Sequence, residues 1–129
     1  MKLPDLDSAS FAQLLSGVSD LTLVLDAQGV IEDVSTGRDT LVNLGCQHWI
    51  GRRWVDTVTP ESQPKVEDLL RESASGQAPR WRHINHPTPS GTDVPLQYIV
   101  LSLGKSGQRV ALARDLEGIA DLQRRLVER

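Results

Sequence analysis

Three histidines and a single cysteine, His48, His83, His86 and Cys46, are the side chains that could ligate a metal. His83 and His86 stand three apart in a stretch that alternates like a strand, where such residues point to opposite faces. They cannot easily share one ion, and no metal site is expected. One cysteine excludes an internal disulfide and fits a reducing compartment. Cys46 could be a redox-responsive thiol if exposed, with His48 two residues away; a lone cysteine is more often a small core residue. The carboxylates Asp56, Glu61, Glu67, Asp68 and Glu72 fall on or beside predicted helices, where such groups mostly solvate a face. No Gly-rich phosphate loop follows a strand and no Gly-x-Ser-x-Gly elbow is present, so we expect no enzyme. Trp49, Trp54 and Trp81 could line a pocket for a planar ligand, with Trp54 and Tyr98 its best candidates, or fill the same space as core. Arg80, Arg82 and His83 read as the solvated face of a strand. At a net charge of −3 the chain lacks the concentrated basic face that phosphate binding needs.

The elements that must position these residues are legible from periodicity. Val94 to Leu103 and Arg109 to Arg114 place apolar residues at every second position, with Gly104 and Gly107 between them, which predicts a β-hairpin. Asp115 then precedes Leu116, Ile119, Leu122 and Leu126, where the period switches from two to about 3.5. Asp115 is placed as an N-cap, its carboxylate facing the free N–H groups of the first helical turn. Ile119, Leu122 and Leu126 follow the spacing of a short coiled-coil seam. The pattern stops at Glu128 and Arg129 with no Gly or Pro to end it, so we expect a longer protein beyond, although a terminal helix folded back on its own sheet stays open.

Upstream, Ser8 or Ser10 can cap a first helix over 10–18, with Phe11, Leu14, Leu15 and Val18 on its apolar face. This helix could cap its own sheet or pair with a second copy. Leu21 to Leu25 and Val30 to Ser35 read as strands joined by a tight turn, in which Asp26 bonds its own downstream backbone and Gly29 takes positive φ. Short helical pieces follow over 38–44 and 49–58. Thr59, Pro60 and Glu61 form a helix entry with a hydroxyl N-cap, and Pro64 delays a regular helix running from Lys65 to Ser73 and stopping at Gly76, with Val66, Leu69 and Leu70 buried. Arg80 to His86 is a third strand. Two strands before the helices and three after predict an α+β fold, a five-stranded antiparallel sheet with helices over one face, flanked by an amino-terminal helix and a carboxy-terminal linker helix. We divide the chain into a cap helix over 1–19, a core over 20–115 and a linker helix over 116–129.

With 129 residues, 39% apolar and 24% charged, the chain suits one domain that folds alone. No apolar run reaches the roughly 20 residues of a membrane span, and the start lacks a signal peptide's apolar region. A cytoplasmic location is expected.

That order of elements resembles a PAS domain. Leu25 to Ile31 resembles the family's hairpin of Asp, two residues, Gly and an apolar strand. Ile50 to Ser62 resembles the segment before its long helix, and Arg114-Asp115-Leu116 its strand-to-linker junction. Ser35 stands where many members carry Asn, and Glu117 where Thr is usual. The resemblance implies the PAS fold. It also offers cofactors to test: the long helix after Thr59, the usual source of an axial histidine for haem, carries none, and Trp54 occupies the place of the flavin-reacting cysteine of light-sensing members. We expect no cofactor. A closer similarity is to the amino-terminal PAS-like domain of the PpsR/CrtJ photosynthesis-gene repressor family. It is densest over 95–101 and 114–127 and also touches Asp20 to Val24. It implies the first module of a longer transcriptional regulator that reaches DNA only through downstream domains.

The expected function is dimerisation, with contact to a regulatory protein partner and relay through the terminal helices, carried by Phe11, Leu14, Leu15, Asp115, Ile119, Leu122 and Leu126. The alternative is a sensory module that binds a small molecule near Trp54 and Tyr98, in a transcription factor or a histidine kinase.

Overall fold

The computed structural model describes residues 19–36, 44–103 and 107–115. The helix expected over 10–18, most of the helical turns expected over 38–44 and the linker helix expected after Asp115 lie outside the described residues.

Strands β1 (Leu21–Leu25), β2 (Ile31–Thr36), β3 (Arg82–His86), β4 (Val94–Leu103) and β5 (Gln108–Asp115) form one antiparallel sheet in the order β2-β1-β5-β4-β3. Among the described residues one α-helix, α1 (Gln63–Ala74), and 3-10 turns over Cys46–Trp49, Trp54–Thr57 and Pro60–Ser62 pack on one face. The β1–β2 turn closes as its sequence dictates. Asp26 Oδ1 accepts the backbone N–H groups of Gln28 and Val30, and Gly29 sits at φ +81°. In β2, Glu32 is the extra residue of a bulge, since Val24 pairs with Asp33 but Leu25 with Ile31.

Pleating sorts the side chains. Leu21, Leu23 and Leu25, with Leu96, Tyr98, Val100, Ala111, Ala113 and Ile84, face the helix side and join Trp49, Trp54, Val66 and Leu69 in one core. Each large apolar side chain buried there contributes about 1.5–3 kcal/mol. Thr22 and Val24 point the other way and are buried too, so every residue of β1 is buried and the strand lacks a solvent-facing polar set.

Each edge of the sheet is capped over part of its length. Along β3, Ser62 Oγ accepts the Asn85 N–H, the Thr59 N–H donates to the Asn85 carbonyl, and Lys65 Nζ donates to the His83 carbonyl. At the β2 edge, Ile31 exchanges backbone hydrogen bonds with Arg52 and Gly51, and Trp54 N–H donates to the Gly29 carbonyl. The stretches satisfied in this way are poorly suited to pairing with a strand from another chain.

Three local expectations are corrected. The stretch 49–58 is not one helical region: a 3-10 turn over Cys46–Trp49 ends at its first residue and another covers Trp54–Thr57, and between them residues 51–54 bond to the β1–β2 turn and Val30 bridges Arg53. Thr59 precedes a 3-10 turn without capping it; its hydroxyl donates to Ser62 Oγ instead. The helix begins at Gln63, ahead of Pro64 rather than after it, because proline in the first turn loses no hydrogen bond. No helix among the described residues is long and apolar enough to cross a membrane.

Candidate functional site

Tyr98 projects from the inner face of β4, on the same rung as Ala113, whose small side chain leaves room beside it. His86, the last residue of β3, also points inward. The turn over Trp54–Thr57 lies across from both and supplies Trp54 and a backbone carbonyl, and the turn over Cys46–Trp49 supplies Cys46 and Trp49. All five side chains are buried, and His86, Tyr98 and Trp54 are fully so.

The polar atoms are linked in order. His86 Nδ1 lies 2.7 Å from the Thr57 carbonyl, which can only accept, so Nδ1 carries the proton. In the neutral ring Nε2 must then be the acceptor, and it takes the Tyr98 O–H at 2.7 Å. The tautomer and the direction of the tyrosine proton are fixed together. Trp49 stacks on the His86 ring at a centroid distance of 4.4 Å and an interplanar angle of 21°, and Trp54 tilts against Tyr98 at 5.0 Å and 55°.

Burial sets the electrostatics. Desolvation lowers the His86 pKa to about 4, opposed by its bond to the Thr57 carbonyl, so the ring is neutral at physiological pH. Desolvation drives the Tyr98 phenol well above its ordinary value, with the nearby Cys46 adding to the rise and the Trp54 indole opposing it. Burial likewise pushes the Cys46 thiol up to about 11. Nothing here is poised as an acid, base or nucleophile near neutral pH; the cluster is a neutral, hydrogen-bonded aromatic plug. One group stands out. Among the described residues the Trp54 indole N–H is the buried side-chain polar atom without a hydrogen-bond partner; it approaches the Tyr98 hydroxyl without hydrogen-bond geometry.

Trp54 and Tyr98, singled out in the sequence as pocket candidates, are thus brought into contact with each other. Trp81 is not part of this cluster; it is half-buried just before β3, with the Arg114 guanidinium 4.0 Å above its ring. His83 is exposed and His86 buried, on opposite faces as the alternation requires. No group of three or more His, Cys, Asp or Glu side chains that could hold a metal occurs among the described residues. Arg80 and His83 are exposed and Arg82 is half-buried, and the two arginines reach carboxylates of α1. Arg80 makes a two-pronged pair with Glu72 of α1, at 2.7 and 3.0 Å, and Arg82 reaches Asp68 at 3.5 Å. These bonds hold both carboxyls below their ordinary pKa, that of Asp68 chiefly through Arg71. Asp115 closes β5 and donates its backbone N–H to Asp20 Oδ2 at 2.7 Å. What its carboxylate caps, like the roles of Phe11, Leu14, Leu15, Ile119, Leu122 and Leu126, lies outside the described residues.

Sequence reasoning missed His86 as a structural centre. Its only signal was its place in an alternating strand, with the parity of Ile84 and opposite to His83.

A family model described as the PAS fold matches residues 15–117. Protein CrtJ of Rhodobacter capsulatus is 25% identical over 125 residues, covering 97% of this chain and 26% of that protein. The chain therefore spans about a quarter of that relative's length. Among solved structures, the PAS domain of a protein from Colwellia psychrerythraea superposes with a TM-score of 0.64 at 19% identity, over 83% of this chain and 94% of that one. The PAS domain of an HTR-like protein from Haloarcula marismortui gives 0.58 at 21% identity, over 84% and 90%. At these identities the structures establish the fold alone.

Proposed function

The chain belongs to the PAS fold family, and from that premise we propose that it is a non-catalytic regulatory module of a multidomain transcriptional regulator, acting by dimerisation and relay through its terminal segments. The observation that carries this reading is the filled interior. Trp49, Trp54, His86 and Tyr98 occupy the space between sheet and helices, the tryptophans packing on the His86 and Tyr98 rings while His86 bonds to Tyr98 and to the Thr57 backbone. In this reading a partner meets the faces of the sheet and the terminal segments. The similarity to protein CrtJ, which runs over nearly the whole chain and past the end of β5, supports the same reading. In this reading a partner that binds one arrangement of the terminal helices better than another shifts the population between them. Location in the cytoplasm belongs to the same proposal.

The test is the dimer dissociation constant by sedimentation across a dilution series. Leu122→Glu and Leu126→Glu place a charge on the proposed seam and should weaken the dimer at least tenfold while leaving the fold's circular dichroism unchanged. An unchanged constant for both variants would sink the reading.

A second reading, a small-molecule sensor, is favoured by one observation, the unpartnered indole N–H of Trp54. A ligand acceptor bonded there would raise the melting temperature by mass action. A broad metabolite screen with no thermal shift counts against it.

A further inference from the structure

We propose that the tight turn over residues 49–52, with Arg53 beside it, is a docking site for an acidic segment of a partner protein that carries an apolar side chain. Its centre is Ile50. Among the described residues this is the large apolar side chain left exposed, at 46%. A lone exposed isoleucine is ordinary on a protein surface. The setting of this one is not. The Arg52 N–H donates to the Trp49 carbonyl at 2.9 Å, Ile50 lies at φ −59° and ψ 128°, and Gly51 at φ +89°. That is a type II turn, with glycine where positive φ is required and Ile50 at the corner ahead of it.

The turn is held from within. Trp49 before it and Trp54 after it are buried in the core, of which Ile50 is no part. The Gly51 N–H donates to the Ile31 carbonyl at 2.8 Å, and the Ile31 N–H donates to the Arg52 carbonyl at 2.9 Å. The Arg52 guanidinium donates to the Asp56 carbonyl at 3.0 Å. A partner therefore meets a surface that is already ordered, and little of its binding is lost in ordering it.

Charge identifies the occupant. Residues 44–55 contain no Asp or Glu but carry His48, Arg52 and Arg53, all exposed, in a chain whose net charge is −3. Around α1 the arginines are matched, Arg71 and Arg82 to Asp68 and Arg80 to Glu72. At the turn they are not: Arg52 donates to a carbonyl, and the Arg53 guanidinium has no partner among the described residues. The carboxylates of the adjoining β2 are engaged elsewhere, Glu32 accepting from the Gln108 amide at 3.2 Å and Asp33 from the Val34 N–H at 2.9 Å. Two guanidiniums beside an apolar corner suit a peptide that offers carboxylates for charge-assisted bonds and a side chain to cover Ile50. A nucleic-acid backbone would satisfy the guanidiniums but bury no isoleucine. The inference deepens the regulatory reading by naming the chemistry of a partner; it rests on that reading for its purpose and not on the dimer.

The experiment selects randomised dodecapeptides displayed on phage against the full chain, then titrates the synthesised winners into 15N-labelled protein. Enrichment of Asp or Glu beside Leu, Ile or Phe is expected, with amide shifts centred on residues 47–53. Arg53→Glu should weaken the binding at least tenfold and Ile50→Ser about fivefold, with circular dichroism unchanged because both side chains lie on the surface. If Arg53→Glu fails to fold, Arg53→Ala and a salt titration carry the same test. A selection without the acidic and apolar pairing, shifts centred elsewhere, or an affinity indifferent to both substitutions overturns the proposal. So does polyglutamate or duplex DNA that shifts the same amides with equal affinity, which would reduce the site to a cationic patch or assign it to nucleic acid. Shifts of residues 47–53 on dilution of the protein alone would assign the turn to a second copy and also overturn it. Leu122→Glu should leave the peptide affinity unchanged, so a failure of the assembly reading is read separately.

Discussion

Acidification should unlock the fold through His86. The buried ring has a pKa of about 4, while an exposed histidine titrates at an ordinary value of 6.5. Its pKa is lowered by folding, so above pH 6.5 neither state binds the proton and the full stability is present. As pH falls below 6.5 the unfolded chain takes up a proton the native state refuses, and stability declines until the native ring is protonated near pH 4. Each pH step in that window costs about 1.4 kcal/mol, giving about 2 kcal/mol between pH 7 and pH 5 and about 3 kcal/mol over the whole window. That is a large share of the roughly 5–15 kcal/mol holding a domain of this size together. The assay is the urea midpoint measured at half-unit pH intervals. The wild-type midpoint should fall by roughly 1 M or more from pH 7 to pH 5 at a usual denaturant dependence. His86→Gln, whose amide can still donate to the Thr57 carbonyl and accept from Tyr98, should flatten the curve over that range. Subtracting the two curves removes every other titrating group. A wild-type curve flat from pH 7 to 5, or a variant curve as steep as the wild type's, refutes the reasoning. If the variant does not fold, the ring carbon shifts of His86 in the wild type decide it, since they should report a neutral Nδ1–H ring at pH 5.

Tyr98→Phe removes the donor to His86 Nε2 and leaves that buried nitrogen unpaired, so it should cost about 1–3 kcal/mol and several degrees of melting temperature, read by calorimetry. Cys46, 4% exposed with its thiol held near 11, should resist iodoacetamide at pH 8 in the native state and react only as fast as the fold opens. Gly107→Ala puts a Cβ at φ +81° and 2.9 Å from the Cβ of Ala27; we expect at least about 2 kcal/mol of destabilisation by urea titration, against about 1 kcal/mol for Gly51→Ala, where φ is also positive but the space is open.

What the sequence determined was local. Alternation placed the strands within a residue or two, because pleating puts every second side chain in the core and that period is written directly in the chain. The Asp26 to Gly29 turn was legible since its hydrogen bonds run between neighbours. Even the interior position of β1 left a trace, a Leu21 to Leu25 segment in which Thr22 is the one polar residue and no charged side chain occurs.

Tertiary structure decided the rest. The first strand lies between the second and the fifth, a pairing across more than eighty residues that periodicity does not encode. His86 became a buried, neutral acceptor because the Thr57 carbonyl, 29 residues earlier, and Tyr98, 12 residues later, meet it in space. The helical reading of 49–58 failed for a similar reason, its backbone being recruited by the β1–β2 turn. That Arg80 and Arg82 pair with Glu72 and Asp68 of α1 was likewise not written in the alternation of their own stretch. A sequence pattern reports which side of an element is apolar; which partner fills that side depends on contacts whose energies appear only once the chain has closed on itself.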